Sequence, residues 1–329
     1  VDQHHETPMR TIGLPLRWNW QIDADSSLLT RLNLNRSWTD DARAESRSHD
    51  DRINRRTHRR EQEATNGFLN LDFATRTDDG HALTAGASFA RNAVDADYDD
   101  RIDGQPDPSL SVLGPRSASR MLSARLFVQD EWRIDRIWAL NLGASVERRD
   151  YRMEEGPAAN RTRFTMWSPS LHVSKRINGD RKRQLRLSLA RSFQPPFMDE
   201  LLLRPTINPF APCAAGQLCG GNGIDTADSS GNPYLAPERA LGLNLSYTRG
   251  FGRDSEVQLE LYSRDIRDKT GAEVALLDVA WADAPRYVVR RTNLGKARVR
   301  GLNLEGRLAG KDIAPALAKL ELNGSIGLA

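Results

Sequence analysis

The side chains best equipped for chemistry in this chain are six histidines, two cysteines and a run of aspartates. His4, His5, His49, His58, His81 and His172 fall into no HExxH or Cys/His ligand spacing. His4 and His5 are adjacent and cannot face one metal from one strand. Asp95, Asp97 and Asp99 form a D-x-D-x-D string of the kind that offers oxygen ligands to calcium. Its sixth position is Asp100 where an EF-hand needs Gly, and its twelfth is Pro106 where the loop needs Glu, so a plain acidic loop is the stronger reading. Cys213 and Cys219 lie close together in a Gly-, Pro- and Ala-rich loop without a His or second Cys pair to complete a zinc site. A disulfide between them is favoured, worth about 2 kcal/mol by loop-closure entropy. No GxSxG or GxxxxGK occurs, since Gly295-Lys296 lacks the upstream glycine of a phosphate loop. These residues predict no catalytic centre, no metal and no cofactor: the chain does not read as an enzyme.

Composition narrows the class. At 329 residues, 39% of them hydrophobic, and with a mean hydropathy of -0.59, the chain is too polar for a helical membrane protein. No apolar run approaches the roughly 18 residues that a spanning helix needs. A β-barrel escapes that test, because its strands need apolar residues only at alternate positions. The net charge of +3 is small beside 47 basic and 44 acidic residues, so it argues neither for nucleic acid nor for an acidic partner, and no nucleic acid is expected. Two cysteines close in sequence fit an oxidising compartment outside the cytosol. The first ten residues, VDQHHETPMR, have no signal-peptide character, so that peptide has been removed or the chain is an internal piece.

Elements that could hold a binding surface emerge from the period-two pattern. Leu241, Leu243, Leu245 and Tyr247 alternate with Gly242, Asn244, Ser246 and Thr248. Val257, Leu259 and Leu261 repeat the device after a glycine-rich turn, which predicts an antiparallel hairpin. The same alternation runs through Ile12 to Trp20, Leu28 to Leu34, Leu69 to Phe73, Leu83 to Phe89, Leu122 to Val128, Leu140 to Val146, Leu171 to Val173, Leu185 to Leu189, Leu302 to Leu304 and Leu320 to Ile326. Connections alternate short and long through about twelve strands, as periplasmic turns and extracellular loops do in an outer-membrane barrel. Trp18, Trp20, Trp132 and Trp138 sit beside short turns, where an aromatic girdle would meet one membrane interface. Residues 39–63 carry seven Arg and seven Asp or Glu and read as a solvated strand extension. Residues 95–118, 151–163 and 194–239 read as loops.

Five landmarks carry a family resemblance. They are Gln129-Asp130-Glu131-Trp132, then Ser192-Phe193-x-x-Pro196-x-x-Asp199-Glu200-Leu201, then Asn232-Pro233-x-Leu235-x-Pro237-Glu238-Arg239, then Ile266-x-Asp268, and finally Asn293-x-Gly295-Lys296-Ala297 leading to Gly301-x-x-x-Glu305. In this order they resemble the barrel of the TonB-dependent outer-membrane receptors. The resemblance implies an all-β fold, an antiparallel transmembrane β-barrel, with residues 1–329 supplying about twelve of about 22 strands in a plugged barrel. The N-terminal plug domain and the final barrel strands are expected to lie outside this segment. It implies TonB-dependent uptake across the outer membrane of a scarce large solute, most often a ferric siderophore. The implied partners are the TonB energy-transducing complex, engaged through a plug and TonB box not in this segment, and outer-membrane lipid. In the outer loops Arg204, Asn208 and Phe210 are the candidate ligand contacts. A non-transporting surface barrel, acting as adhesin or receptor, is the alternative.

Overall fold

The computed structural model describes residues 2–49, 52–156, 158–202, 204–208, 210–211 and 219–328. Period-two sequence becomes fifteen strands in one sheet. In chain order they begin with β1 (Asp2–Glu6), β2 (Met9–Gln21), β3 (Ser26–His49), β4 (Arg52–Arg76), β5 (His81–Ile102), β6 (Gln105–Pro106), β7 (Arg116–Trp132) and β8 (Trp138–Glu155). There follow β9 (Ala158–Arg176), β10 (Arg183–Gln194), β11 (Asp228–Ser229), β12 (Glu238–Phe251), β13 (Ser255–Leu277), β14 (Arg286–Ala309) and β15 (Glu321–Leu328). β1, β6 and β11 are short additions, and the other twelve form an up-and-down antiparallel wall from β2 to β15. Among the strands of the described residues, β11 alone pairs in parallel, with β14. Among the described residues β2 pairs β3 alone and β15 pairs β14 alone.

Register aligns the alternation of every strand with that of its neighbours. One row across the wall reads Leu140, Val173, Leu187, Leu245, Leu261, Leu302 and Leu328. Another reads Trp18, Thr30, Leu71, Ala87, Leu126, Val146 and Trp167. One residue away the rows turn polar: Asn141, His172, Ser188, Asn244, Tyr262, Gly301, and likewise Arg17, Arg31, Asn70, Ser88, Arg125, Glu147. A one-residue slip of any strand would exchange its faces, so the apolar row fixes the pairing. The apolar face is left uncovered: Leu241 is 50% exposed, Leu126 57% and Trp167 59%. A water-soluble domain would bury so large a continuous surface. Gly301 allows the Tyr262 side chain to lie directly over the backbone of β14, where a Cβ would collide with the phenol ring.

Aromatic side chains mark the short-turn edge of this face. Trp18 and Trp20 stack with ring centroids 5.9 Å apart, Trp132 stacks on His81 at 4.8 Å, and the Lys175 ammonium lies 4.7 Å from the Trp138 ring centre.

Strands outrun the apolar band at the other edge. β3 has 24 residues, β4 25 and β14 24. A strand of that length reaches about 60 Å along a barrel axis at ordinary tilt, against an apolar band of about 25 Å. Residues 39–49 and 52–63 are therefore paired strand, in keeping with a strand extension. The loops expected over 95–118 and 151–163 are mostly strand as well: β5 runs on to Ile102, β7 resumes at Arg116, and β8 and β9 reach Glu155 and Ala158. Outside a bilayer both faces can be polar, so the alternation disappears while the ladder continues, laced by pairs such as Arg120–Asp95 at 2.6 Å and Arg116–Asp97 at 2.8 Å. Each aspartate of the D-x-D-x-D string has an Arg partner, Asp99 taking Arg101 at 2.9 Å. Among the described residues no cluster of His, Cys, Asp and Glu could hold a metal ion.

The turn between β14 and β15 is tied to its neighbour by one carboxylate. Asp312 accepts hydrogen bonds from the amides of Arg253 and Asp254 at 2.8 Å and from the amide and hydroxyl of Ser255 at 2.9 Å. These donors, the Arg253 amide foremost, hold its pKa far below the ordinary carboxylate range. A lowered folded-state pKa gives stability that is fully present above the unfolded value, about 3.9, and is lost as pH falls below it toward the native value. In an acid titration of the melting temperature, the protein should lose stability more steeply below about pH 4 than Asp312→Asn does. Equal slopes would show that the carboxylate carries no such linkage.

Candidate ligand-binding cleft

At the long-connection end the polar face is roofed by the described residues between 195 and 237, and two of the family-type landmarks, around Pro196–Leu201 and Asn232–Pro237, build this roof. Leu201 and Leu235 enter a buried cluster with Tyr151 and Met153, which lie on the polar-face positions of β8. The Tyr151 hydroxyl donates to the Pro196 carbonyl at 3.1 Å, and the Thr162 hydroxyl to that of Pro233 at 2.9 Å. Glu200 accepts the Phe197 amide at 2.9 Å and pairs with Arg291 of β14 at 2.8 Å. The loop is thus folded back over the barrel interior.

Residues of three landmarks, Glu238, Asp268 and Asn293, latch three strands together. Asn293 Nδ2 donates to the carbonyls of Ala236 at 3.0 Å and Asp268 at 2.9 Å, while its Oδ1 accepts the Ala236 amide at 2.9 Å. Asp268 has a φ of 55° beside a bulge in β13, a conformation that aims its carbonyl at Asn293. Glu238 Oε1 takes the Lys269 ammonium at 2.8 Å, the Thr270 amide at 2.7 Å and the Thr270 hydroxyl at 2.5 Å. The motif residues are therefore joints between β12, β13 and β14.

A second small core seals the loop from above. Ile207, Cys219, Trp281 and Val288 cluster with Ile102. Beside them Asp228, fully buried, accepts from Arg286 Nε at 2.6 Å, Arg286 Nη2 at 2.7 Å and Trp281 Nε1 at 2.9 Å. Two of the other three guanidinium hydrogens go to the carbonyls of Gly220 at 2.7 Å and Ala211 at 3.0 Å. Both charges are thereby compensated in a dry environment.

Between this roof and the polar face of β3, β4 and β5 lies an open cleft of about 450 Å³. Its walls carry Arg43, Arg56, Arg60 and Arg101 against Asp41, Glu45, Asp100 and Asp107, so its charge is mixed. At its centre His58 Nδ1 hydrogen-bonds Asp100, whose other oxygen accepts from Arg204 Nη2 at 2.8 Å, and the Arg204 guanidinium stacks on Tyr98 at 3.8 Å. Such a surface can hold a polar solute through several directional contacts.

The three candidate contacts separate here. Arg204 lines the cleft, but its guanidinium also donates to the Gly114 carbonyl at 2.9 Å and its side chain is only 9% exposed, so it fastens the loop to β5. Asn208 turns inward: its amide donates to Asp228 at 2.9 Å and its Nδ2 to the Ala227 carbonyl at 3.1 Å. Phe210 is 74% exposed on the roof. Cys219 is buried and disulfide-bonded, while Cys213, the expected partner, lies outside the described residues. His58, Tyr98 and Asp100 were missed. Extending the alternation of β4 and β5 past the end of the apolar rows would have put all three on the polar face.

The chain matches the family "TonB dependent receptor-like, beta-barrel" over residues 3–328 and belongs to it. This is a family of outer-membrane β-barrel receptors that work with TonB. No curated protein shows a significant sequence match. Among solved structures, the unliganded ferric citrate transporter FecA superposes with a TM-score of 0.59 at 11% identity, covering 99% of this chain and 42% of that one. BauA, the ferric preacinetobactin receptor from Acinetobacter baumannii, gives 0.58 at 10% identity, with 98% and 45% covered. The copper transporter OprC gives 0.55 at 13% identity, with 92% and 50% covered. At these identities the likeness is of fold alone, and the chain spans about half the length of the receptors it matches.

Two substitutions test the joints. Asp228→Ala strands the buried Arg286 charge and should destabilise the roof by about 3–5 kcal/mol, with Asp228→Ala/Arg286→Ala costing less than the two single changes together. Protease protection of residues 219–237 reads this, and strict additivity would refute the pairing. Asn293→Ala leaves the Ala236 and Asp268 backbone groups unsatisfied and should cost about 1–3 kcal/mol in a denaturant titration of the folded barrel, whereas Asn323→Ala at the exposed edge should cost little.

Proposed function

We propose that residues 1–329 form part of the wall of a plugged outer-membrane barrel of about 22 strands that imports a scarce large solute, most often a ferric siderophore, at the expense of the TonB complex. The observation that carries this reading is the union of a lipid-type outer face with a polar inner face roofed by a cross-braced loop. Support for a larger barrel comes from the share of the solved receptors that this chain covers. An edge strand standing in hydrocarbon would also leave its amides and carbonyls unpaired. In this reading the short turns face the periplasm, and the long connections face outward to meet ligand.

The chain supplies positioning and selectivity, with no bond made or broken. Arg43, Arg56, Arg60 and Arg101 can engage carboxylate or phenolate oxygens of a chelate, and Asp41 and Glu45 its amine or hydroxyl donors. Phe210 offers an exposed aromatic surface on the roof. A plug domain and TonB box, outside this segment, would couple the site to the energy-transducing complex. A barrel serving only as an adhesin or receptor would have no use for them.

Growth of a deletion strain on single iron chelates, vitamin B12 and oligosaccharides, complemented by the complete gene, identifies the cargo. Complementation lost on removal of the TonB box supports import, whereas growth unaffected by that removal would eliminate it. Placement in lipid is tested separately: Leu245→Arg should destabilise the complete barrel by about 2–4 kcal/mol and Asn244→Arg far less, and equal costs would mean that neither face meets lipid.

A further inference from the structure

The cleft between the roof and the polar face of β3, β4 and β5 is balanced in fixed charge. Among the described residues Arg43, Arg56, Arg60, Arg101 and Arg204 line it against Asp41, Glu45, Asp100, Asp107 and Asp199, five of each sign. Two histidines, His5 and His58, complete the charged set. With cations and anions equal in number, protons on these rings decide the sign of the cleft. Histidine is the side chain whose ordinary titration falls between about pH 5 and 8.

Register puts His58 among the cations. His5, Arg43, His58 and Asp100 form one row across β1, β3, β4 and β5. On β4 the inward positions to either side of His58 are Arg56 and Arg60, which face Glu45 and Asp41 of β3. On β5 the corresponding neighbours of Asp100 are Tyr98 and Ile102. From the roof Arg204 reaches Asp100 at 2.8 Å, and Asp199 lines the same cleft. Asp107, just past β6, lies 3.6 Å from Arg56. His58 thus has Arg43, Arg56 and Arg60 on three sides and the Asp100 carboxylate on the fourth. Arg60 approaches Asp41 only to 3.7 Å, beyond hydrogen-bond reach, so its guanidinium keeps donors for another acceptor.

The two nitrogens of His58 have different tasks. Nδ1 hydrogen-bonds Asp100, while Nε2, on a side chain 42% exposed, is left for the cleft. A neutral ring that donates from Nδ1 offers only a lone pair at Nε2, which repels an anion. A protonated ring offers an N–H there, beside three guanidinium groups that match a carboxylate in geometry and charge.

We propose that His58, Arg43, Arg56 and Arg60 form a proton-linked cradle for a carboxylate of the solute, which binds together with a proton on Nε2. The proton comes from solvent and returns to it when the solute leaves. This rests on the reading that the cleft meets the cargo, and it narrows the cargo to a chelate with a free carboxylate. Because proton and anion favour each other's binding, an ionised carboxylate is held more tightly in mild acid.

The test uses the complete receptor in nanodiscs and equilibrium dialysis of radiolabelled tartrate, a dicarboxylate that stays ionised across the range. The wild-type protein should bind it about tenfold more tightly at about pH 5.5 than at about pH 8, the factor one hydrogen bond to a charged group supplies. Tartramide, its uncharged counterpart, should bind far more weakly and without pH dependence. His58→Gln should lose the pH dependence, and Arg43→Gln should weaken binding several-fold at both pH values while keeping it. Equal wild-type affinity at the two pH values, a measurement that needs no variant, would overturn the proposal. So would absence of tartrate binding, tartramide binding as tight as tartrate, or an undiminished pH dependence in His58→Gln. The dialysis involves no TonB, so proton-linked binding by a receptor whose growth phenotype ignores the TonB box would defeat only the import reading.

Discussion

Backbone amides and carbonyls cannot be left unpaired where water is absent, and the rest of this structure follows from that requirement. A twelve-strand antiparallel wall meets it everywhere except along β2 and β15, using the ladder alone. Once the ladder is fixed, side chains have only two directions available, and within the apolar band the chain assigns them consistently: leucine, valine and tryptophan to one face, asparagine, serine, arginine and glutamate to the other. The polar residues that make the sequence look too hydrophilic for a membrane are the ones that furnish an interior able to hold solute.

Beyond the apolar band the constraint relaxes and different forces take over. Strands continue for many residues, held by cross-strand pairs of Arg with Asp or Glu that are individually weak and numerous. The roof cannot rely on such pairs, because it is irregular backbone. Two small apolar cores and the buried Asp228–Arg286 pair hold it instead, and the guanidinium of Arg286 satisfies carbonyls that the loop's own backbone leaves over. The cleft thus sits between a rigid ladder and a cemented loop.

Much of the wall was legible in the sequence. The alternation around Leu241 to Tyr247 and the short turns at Asp23, Asp78 and Gly252 specify strands, pairing and faces together. Strand ends were not legible, because at Asp95–Asp99 or Arg161–Arg163 charge occupies both faces and hides the period that defines a strand. Loop residues were legible only as possibilities. Arg204 and Asn208 are polar, as a ligand contact would be, yet their hydrogen bonds are spent on Asp100, Gly114, Ala227 and Asp228, partners up to about a hundred residues away in the chain. Nothing local announces such distant partners. The family landmarks were legible as landmarks, but their role as joints between strands required the geometry of Asn293 and Glu238.

Because Asp228, Arg286 and Trp281 tie the described middle of the roof to the start of β14 by a buried ion pair and hydrogen bonds, that part of the roof and the strand share one set of packed groups. A load on this part of the roof therefore passes into β14 through the guanidinium of Arg286, which holds Asp228 and the carbonyls of Gly220 and Ala211 together.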